Sequence, residues 1–127
     1  MSRKILIVDD EENLRMLLKE SLEEFEDKGV ELLVAENGSV AIDVINREEP
    51  ELVILDVMMP GIDGFSVCNT IKNELGLKDV YVLMLSADGQ EVNKQRGKDA
   101  GSDGFMTKPF DPYDIANKVS EIIGIDL

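Results

Sequence analysis

Three aspartates and a lysine stand where chemistry could be done. Asp9 and Asp10 follow the apolar run Lys4-Ile-Leu-Ile-Val8, Asp56 follows Leu52-Val-Ile-Leu55, and Lys108-Pro109 follows a third short run. If these runs are parallel strands of one sheet, the charged residues meet at its carboxyl edge, where open α/β folds bind ligands. Carboxylates gathered there repel one another, which raises their pKa values unless a cation sits among them. An all-oxygen donor set favours a hard ion, Mg²⁺ with Mn²⁺ as a substitute. A lysine facing the same spot points to a phosphoryl group held between metal and ammonium.

The loop after Asp56, Val57-Met-Met-Pro-Gly-Ile-Asp-Gly64, is rich in turn residues and exposes that carboxylate. An aspartate attacks phosphorus once its charge is neutralised on approach, giving an acyl phosphate. Asp10, with Asp9 beside it or bridging through water, would hold the metal. The backbone carbonyl of Met58 would complete the protein ligands, and waters the octahedron. Ser86, the backbone N–H of Ala87 and Lys108 would reach phosphoryl oxygens from the opposite side. Only about one X–Pro bond in twenty is cis, so the Lys108–Pro109 peptide stays open. Taken singly, Asp9-Asp10 also reads as a helix cap and first turn, Asp56 as the cap of its own turn, Lys108 as a surface lysine and Ser86 as a turn serine. Their shared position at strand ends favours the joint reading.

Apolar runs that alternate with segments of helical period predict a parallel sheet with crossover helices, a doubly wound (βα)5 α/β domain. The strands fall at Lys4 to Val8, Val30 to Ala35, Leu52 to Leu55, Tyr81 to Leu85 and Gly104 to Thr107. Core faces are expected at Leu14, Leu17, Leu18, Leu22 and Phe25; at Val40, Ala41, Val44 and Ile45; at Phe65, Cys68, Ile71 and Leu75; and at Ile115, Ala116, Val119, Ile122 and Ile123. The fourth helix, Gln90 to Asp99, offers only Val92 as a large apolar residue and carries Gly97 inside. Glycine costs about 1 kcal/mol against alanine in a helix interior, so this helix is expected to be weakly held. Lys94, Arg96 and Lys98 make it the most basic stretch of the chain, either a solvated face or a docking face.

With 127 residues and 43% hydrophobic content, one domain over 1–127 is expected. No apolar stretch approaches the ~20 residues that span a bilayer, and the start runs directly into a strand, so the expected setting is cytoplasmic with no membrane contact. The single Cys68 is read as a buried apolar residue. A net charge of −14 opposes direct nucleic-acid binding by this chain. There is no histidine, which excludes histidine-based acid–base catalysis and the common zinc sites.

On Ile5-Leu-Ile-Val-Asp-Asp-Glu11, Leu52-Val-Ile-Leu-Asp-Val-Met-Met-Pro-Gly61, Asp63-Gly64-Phe65, Leu85-Ser-Ala87 and Ala100-Gly-Ser-Asp-Gly-Phe-Met-Thr-Lys-Pro-Phe110, the chain resembles a receiver domain of two-component response regulators, with the flavodoxin-like receiver fold. The resemblance implies that Asp56 is the phosphoacceptor and that Asp9 and Asp10 form the acidic metal pocket. It implies that Ser86 is the hydroxyl switch residue, Lys108 the phosphate-sensing lysine and Phe105 the aromatic switch residue. Met58 and Asp88 would flank the path of a hydrolytic water. The donor would be the phosphohistidine of a sensor kinase or phosphotransfer protein, and the output a change in the face built from the fourth helix, fifth strand and fifth helix. Phenylalanine at 105 lacks the phenolic hydroxyl common in relatives, and Lys98 stands where many carry an apolar residue.

Other readings are weaker. A phosphatase of the haloacid-dehalogenase type wants a second aspartate two positions past the nucleophile, where Met58 stands. A degenerate receiver acting only as an interaction module would not need the intact acidic set. No phosphate-binding glycine loop is present for a nucleotide-binding domain. A switch rather than a turnover enzyme is therefore expected, reading out to a downstream protein or to an effector domain beyond these residues, as a monomer or a weak phosphorylation-dependent dimer. Cognate kinase and pathway are not readable.

Overall fold

The computed structural model describes residues 3–87 and 91–126, the side chains of 91–93 apart. Five strands, β1 (Arg3–Val8), β2 (Val30–Ala35), β3 (Leu52–Asp56), β4 (Tyr81–Ser86) and β5 (Gly104–Thr107), form one parallel sheet in the order β2-β1-β3-β4-β5. Six helices accompany them among the described residues: α1 (Glu12–Ser21), α2 (Glu23–Asp27), α3 (Gly38–Glu48), α4 (Gly64–Asn69), α5 (Glu91–Ala100) and α6 (Pro112–Ile123). The central three strands read as near-continuous Val, Ile and Leu because both sides of each are covered. On one side Leu6, Val8, Val53, Leu55, Val82 and Met84 meet α3, α4 and Ala100 of α5. On the other Ile5, Ile7, Leu52, Ile54, Leu83 and Leu85 meet α1, α2 and α6. The domain is thus doubly wound, as the alternating pattern predicts.

The first crossover departs from the single expected helix. Leu22, at φ −109° and ψ 10°, leaves helical geometry and separates α1 from α2, while Leu22 and Phe25 stay buried. Leu17 and Val40, expected in the core, are 38% and 36% exposed. Leu17 lies toward a groove beside Pro109 and Phe110, and Val40 sits in the first turn of α3, next to its Asn37 cap.

The third crossover continues past α4 as a π-turn, Thr70–Glu74, closed by the Leu75 amide on the Thr70 carbonyl at 2.8 Å. Here Lys72 is buried. Its ammonium pairs with Asp103 at 2.7 Å and donates to the carbonyls of Lys78 and Val80. Asp103 also accepts from the Val82 amide at 2.9 Å, so the α5–β5 connection is fastened to the start of β4.

Gly97 corrects the expectation that it only weakens its helix. It is buried, and a Cβ there would stand 3.2 Å from Met84 Sδ and 3.2 Å from Ser102 Oγ. The missing side chain is what lets α5 lie close on the sheet. Arg96 adds a second anchor, its guanidinium 4.3 Å from the centre of the Phe65 ring, a stacking worth about 0.5–1 kcal/mol at an exposed site. The Val92 side chain lies outside the described residues. Among the described residues, no helix is long and apolar enough to cross a membrane.

Candidate functional site

Parallel pairing in register places the site. Val8 is opposite Leu55, Asp56 opposite Leu85 and Ser86 opposite Thr107. The residues just past these positions therefore emerge together at the carboxyl edge. One carboxylate oxygen from each of Asp9, Asp10 and Asp56 lies within 4.8 Å of the others. Asp9 and Asp56 are buried and Asp10 is exposed, so the cluster has a closed floor and an open mouth.

Lys108 is the counter-charge. Its ammonium is 3.0 Å from Asp56 Oδ1 and 3.2 Å from Asp9 Oδ2, and its amide donates to the Ser86 carbonyl at 2.6 Å. The Lys108–Pro109 peptide is cis. Burial pushes the Asp56 carboxyl above the ordinary aspartate value. The Lys108 hydrogen bond pulls it back, and the Asp9 charge pushes it up further. Repulsion among carboxylates, the cause expected from sequence, thus comes behind loss of water. Burial alone would lower the Lys108 pKa, but its bond to Asp56 and the charges of Asp56 and Asp9 outweigh that and hold the ammonium more firmly protonated.

The turn carrying Asp9 and Asp10 is fixed by three bonds. The Asp9 amide donates to Ala35 at 3.2 Å, Asp9 Oδ1 accepts from the Glu11 amide at 2.9 Å, and Arg15 donates to the Asp9 carbonyl at 2.7 Å. Neither aspartate caps α1, whose N-cap is Glu11, without a side-chain bond. The β3–α4 loop turns back on its own strand. Gly64 donates to the Val57 carbonyl at 3.0 Å, and a Cβ on Gly64 would fall 2.4 Å from the Asp56 carbonyl oxygen. Asp63 caps α4 by accepting from the Ser66 amide. The Met58 side chain is 71% exposed at the rim, and its amide approaches Asp56 Oδ1 at 3.4 Å, long for a hydrogen bond.

The remaining expected residues divide. Ser86 is buried at the end of β4, and Ala87 lines a groove of about 300 Å³ with Leu14, Leu17, Lys108, Pro109 and Phe110. Phe105 lies away from the carboxylates, half-buried against the α3–α4–α5 side of the core. Asp88 lies outside the described residues. Sequence reasoning missed Arg15 and Gly64 as supports. The Asp63-Gly64 pair after a strand end carried the signal for the second, but nothing in the spacing of Arg15 marks it.

An acidic pocket with a lysine across it, at the carboxyl edge of a β2-β1-β3-β4-β5 sheet, defines a class of phosphate-handling α/β switch domains. The model of the response regulator receiver domain matches residues 5–120. Among curated proteins, the chain is 38% identical to the alkaline phosphatase synthesis transcriptional regulatory protein PhoP of Bacillus subtilis over 97% of its length and 49% of that protein. It is 37% identical to the probable transcriptional regulator ycf27 of Porphyra purpurea over 94% of its length and 47% of that protein. The chain spans about half the length of these relatives. Among solved structures, chemotaxis protein CheY4 of Vibrio cholerae superposes with a TM-score of 0.85 at 27% identity, covering 96% of this chain and 99% of that one. A putative response regulator from Chloroflexus aurantiacus does so with a TM-score of 0.85 at 31% identity, covering 98% and 99%. The chain belongs to the response regulator receiver domain family, the phosphorylation-activated switch of two-component systems.

Proposed function

We propose that Asp56 is the phosphoacceptor of this switch. The observation that carries the reading is the four-group cluster, in which Lys108 bridges Asp56 and Asp9 beside Asp10. The carboxylate of Asp56 attacks the phosphorus of a phosphohistidine on a sensor kinase or phosphotransfer protein. The P–N bond breaks as the P–O bond forms, and the imidazole leaves with its electron pair. The product carries more negative charge than the carboxylate, and Lys108 stands where it would offset part of it. For that transfer Lys108 exchanges its bond to Asp56 for bonds to phosphoryl oxygens, joined by the Ser86 hydroxyl and the Ala87 amide.

Receiver domains are generally Mg²⁺-dependent, and the donor set here suits that ion: carboxylates from Asp9, Asp10 and Asp56, all hard oxygens, one of them open to solvent. The Met58 carbonyl is the proposed fourth protein donor, and Mn²⁺ the proposed substitute. When bound, the ion supplies positive charge to the phosphoryl oxygens.

The chain acts as a switch and not on an external substrate. Ser86 closing on the phosphoryl group opens space toward which Phe105 turns, and the surface of α5, β5 and α6 changes with it. Met58 and Asp88 modulate hydrolysis of the acyl phosphate. The reader is a downstream protein or an effector domain of the kind carried by relatives about twice as long. The domain is monomeric or weakly dimeric when phosphorylated, which light scattering with and without phosphodonor would test.

The test of the phosphoacceptor is intact mass after incubation with acetyl phosphate, with and without Mg²⁺, on the wild type and Asp56→Asn. One Mg²⁺-dependent phosphoryl adduct, absent from the variant, is expected. No adduct under any condition would leave a receiver-shaped binding module.

A further inference from the structure

Two of the three clustered carboxylates are held by bonds of their own. Lys108 grips Asp56 and Asp9, and the Glu11 amide donates to Asp9 Oδ1 at 2.9 Å. The third, Asp10, is exposed, and no hydrogen bond or ion pair holds its carboxylate among the described residues. It borders a cavity of about 510 Å³, lined also by Glu36, Asn37, Ser39, Pro60 and Ile62, which gives it room to turn away from the cluster. Its aim is therefore set through the backbone on either side. The peptide that follows Asp10 is held by its N–H, the Glu11 amide on Asp9 Oδ1. The peptide that precedes it is held by its oxygen, the Asp9 carbonyl, which accepts from Arg15 Nη1 at 2.7 Å. Because a peptide unit is planar, holding that oxygen fixes the plane from which the Asp10 residue departs.

We infer that Arg15 is a positioning residue for the divalent ion: by clamping the Asp9–Asp10 peptide it aims Asp10 at the cluster, and its loss costs an ion of strict geometry more than one of loose geometry. The inference rests on the proposed Mg²⁺ site. Arg15 stands one turn into α1, its own amide on the Glu11 carbonyl at 3.1 Å, so the clamp is anchored in a helix. Its charge is directed to a neutral oxygen, and the guanidinium pairs with no carboxylate among the described residues. Lys108, by contrast, meets Asp9 and Asp56 directly. The two cations divide the work: Lys108 neutralises, while Arg15 orients and leaves the Asp10 charge to the ion. Mg²⁺ demands near-octahedral ligands whereas Ca²⁺ accepts irregular ones, so a displaced Asp10 weakens Mg²⁺ more. Charge acts with the opposite sign, since removing a cation beside the pocket favours any divalent ion. Position and charge are thereby separable.

The test titrates ¹⁵N-labelled protein with MgCl₂ and, separately, with CaCl₂, in the absence of phosphodonor, and reads the amides around Asp9, Asp10 and Asp56. Arg15→Met keeps side-chain length and helix propensity but has neither donor nor charge. Its Mg²⁺ dissociation constant is expected to rise about tenfold or more, as for other residues that orient a metal ligand from behind. Its Ca²⁺ constant should rise by less than roughly threefold. Arg15→Lys, which keeps the charge and a donor, should fall between wild type and Arg15→Met. Lys72→Met, which loosens the fold at the other edge of the sheet, should bind both ions as wild type does, so that general destabilisation is recognised. Unchanged or tighter Mg²⁺ binding by Arg15→Met, an equal loss for both ions, or the same loss in Lys72→Met would overturn the role. The site itself is read from wild type alone. No amide shift there at millimolar MgCl₂ sinks the Mg²⁺ site and this role together, whereas wild-type binding that Arg15→Met retains sinks only the role.

Discussion

Asp56 holds a charge that its own fold makes costly, and this sets the sign of a first prediction. Its folded pKa lies above the unfolded value, so the folded state binds the proton more tightly. Stability contributed by that proton is present at low pH and lost as pH rises through the folded value. At pH 7 without divalent metal, Asp56→Asn should therefore melt at a higher temperature than the wild type. The difference should vanish below the unfolded aspartate value and shrink when Mg²⁺ binds the wild type; calorimetry at both pH values checks it. Cys68 has the same sign at the other end of the scale. Burial pushes its thiol from 9.0 to about 11, so between those values unfolding releases a proton. Its contribution to stability should fall by about 1.4 kcal/mol per pH unit. Urea melts from pH 8 to pH 11 should show a shallower alkaline decline for Cys68→Ala than for wild type. The carboxylates were legible because each closes an apolar run, and Cys68 because it keeps helical step with Phe65 and Ile71. Lys72 was not, since a lysine inside a helical stretch gives no sign that its ammonium turns inward to Asp103.

At the level of elements, the β3–α4 loop and the π-turn after α4 act on different edges of the sheet. Gly64→Ala forces a Cβ into the backbone of Asp56 and Val57, neither of which can swing away. It should cost about 1–3 kcal/mol and slow adduct formation from acetyl phosphate by roughly tenfold or more as the Asp56 loop shifts. Lys72→Met should also destabilise, by about 2 kcal/mol, because two carbonyls lose their donor and a partly solvated Asp103 its counter-charge. Its phosphorylation rate should stay near wild type, since the pair lies at the amino edge. Rates and denaturation midpoints measured on both variants separate the two edges. Strand positions were readable because apolar runs end sharply in turn residues. The break at Leu22 was not, because Leu22 and Phe25 are both buried and keep the helical period of α1. Nor was the docking of α5, where a buried glycine does the work that a stripe of large residues usually does.

For the molecule as a whole, the charge of −14 on 127 residues works against compactness. Raising monovalent salt from about 0.02 to about 0.3 M shortens the screening length severalfold and should raise the melting temperature. The rise should be smaller for Glu→Gln variants on α1 and α2, where Glu20, Glu23, Glu24 and Glu26 crowd together. A flat response in differential scanning calorimetry would show that these charges are already compensated locally. Composition made the sign of this effect readable. The doubly wound arrangement was readable because alternating strand and helix periods leave few ways to connect a parallel sheet.

Arg3 carries a consequence for how this chain is made. Its guanidinium grips Glu51 at 2.8 and 2.9 Å and also reaches the carbonyl of Ile123, 120 positions further on. The helix that ends there covers Ile5, Ile7, Leu83 and Leu85 through Ile115, Val119 and Ile123. On a ribosome adding about 5–20 residues per second, that cover arrives on the order of ten seconds after the first strand is synthesised. Through that interval the part of this side that α6 covers stays open, α1 and α2 closing only the rest. Nascent chains should therefore engage an apolar-binding chaperone until α6 emerges, and release it as α6 docks and Arg3 closes on Ile123.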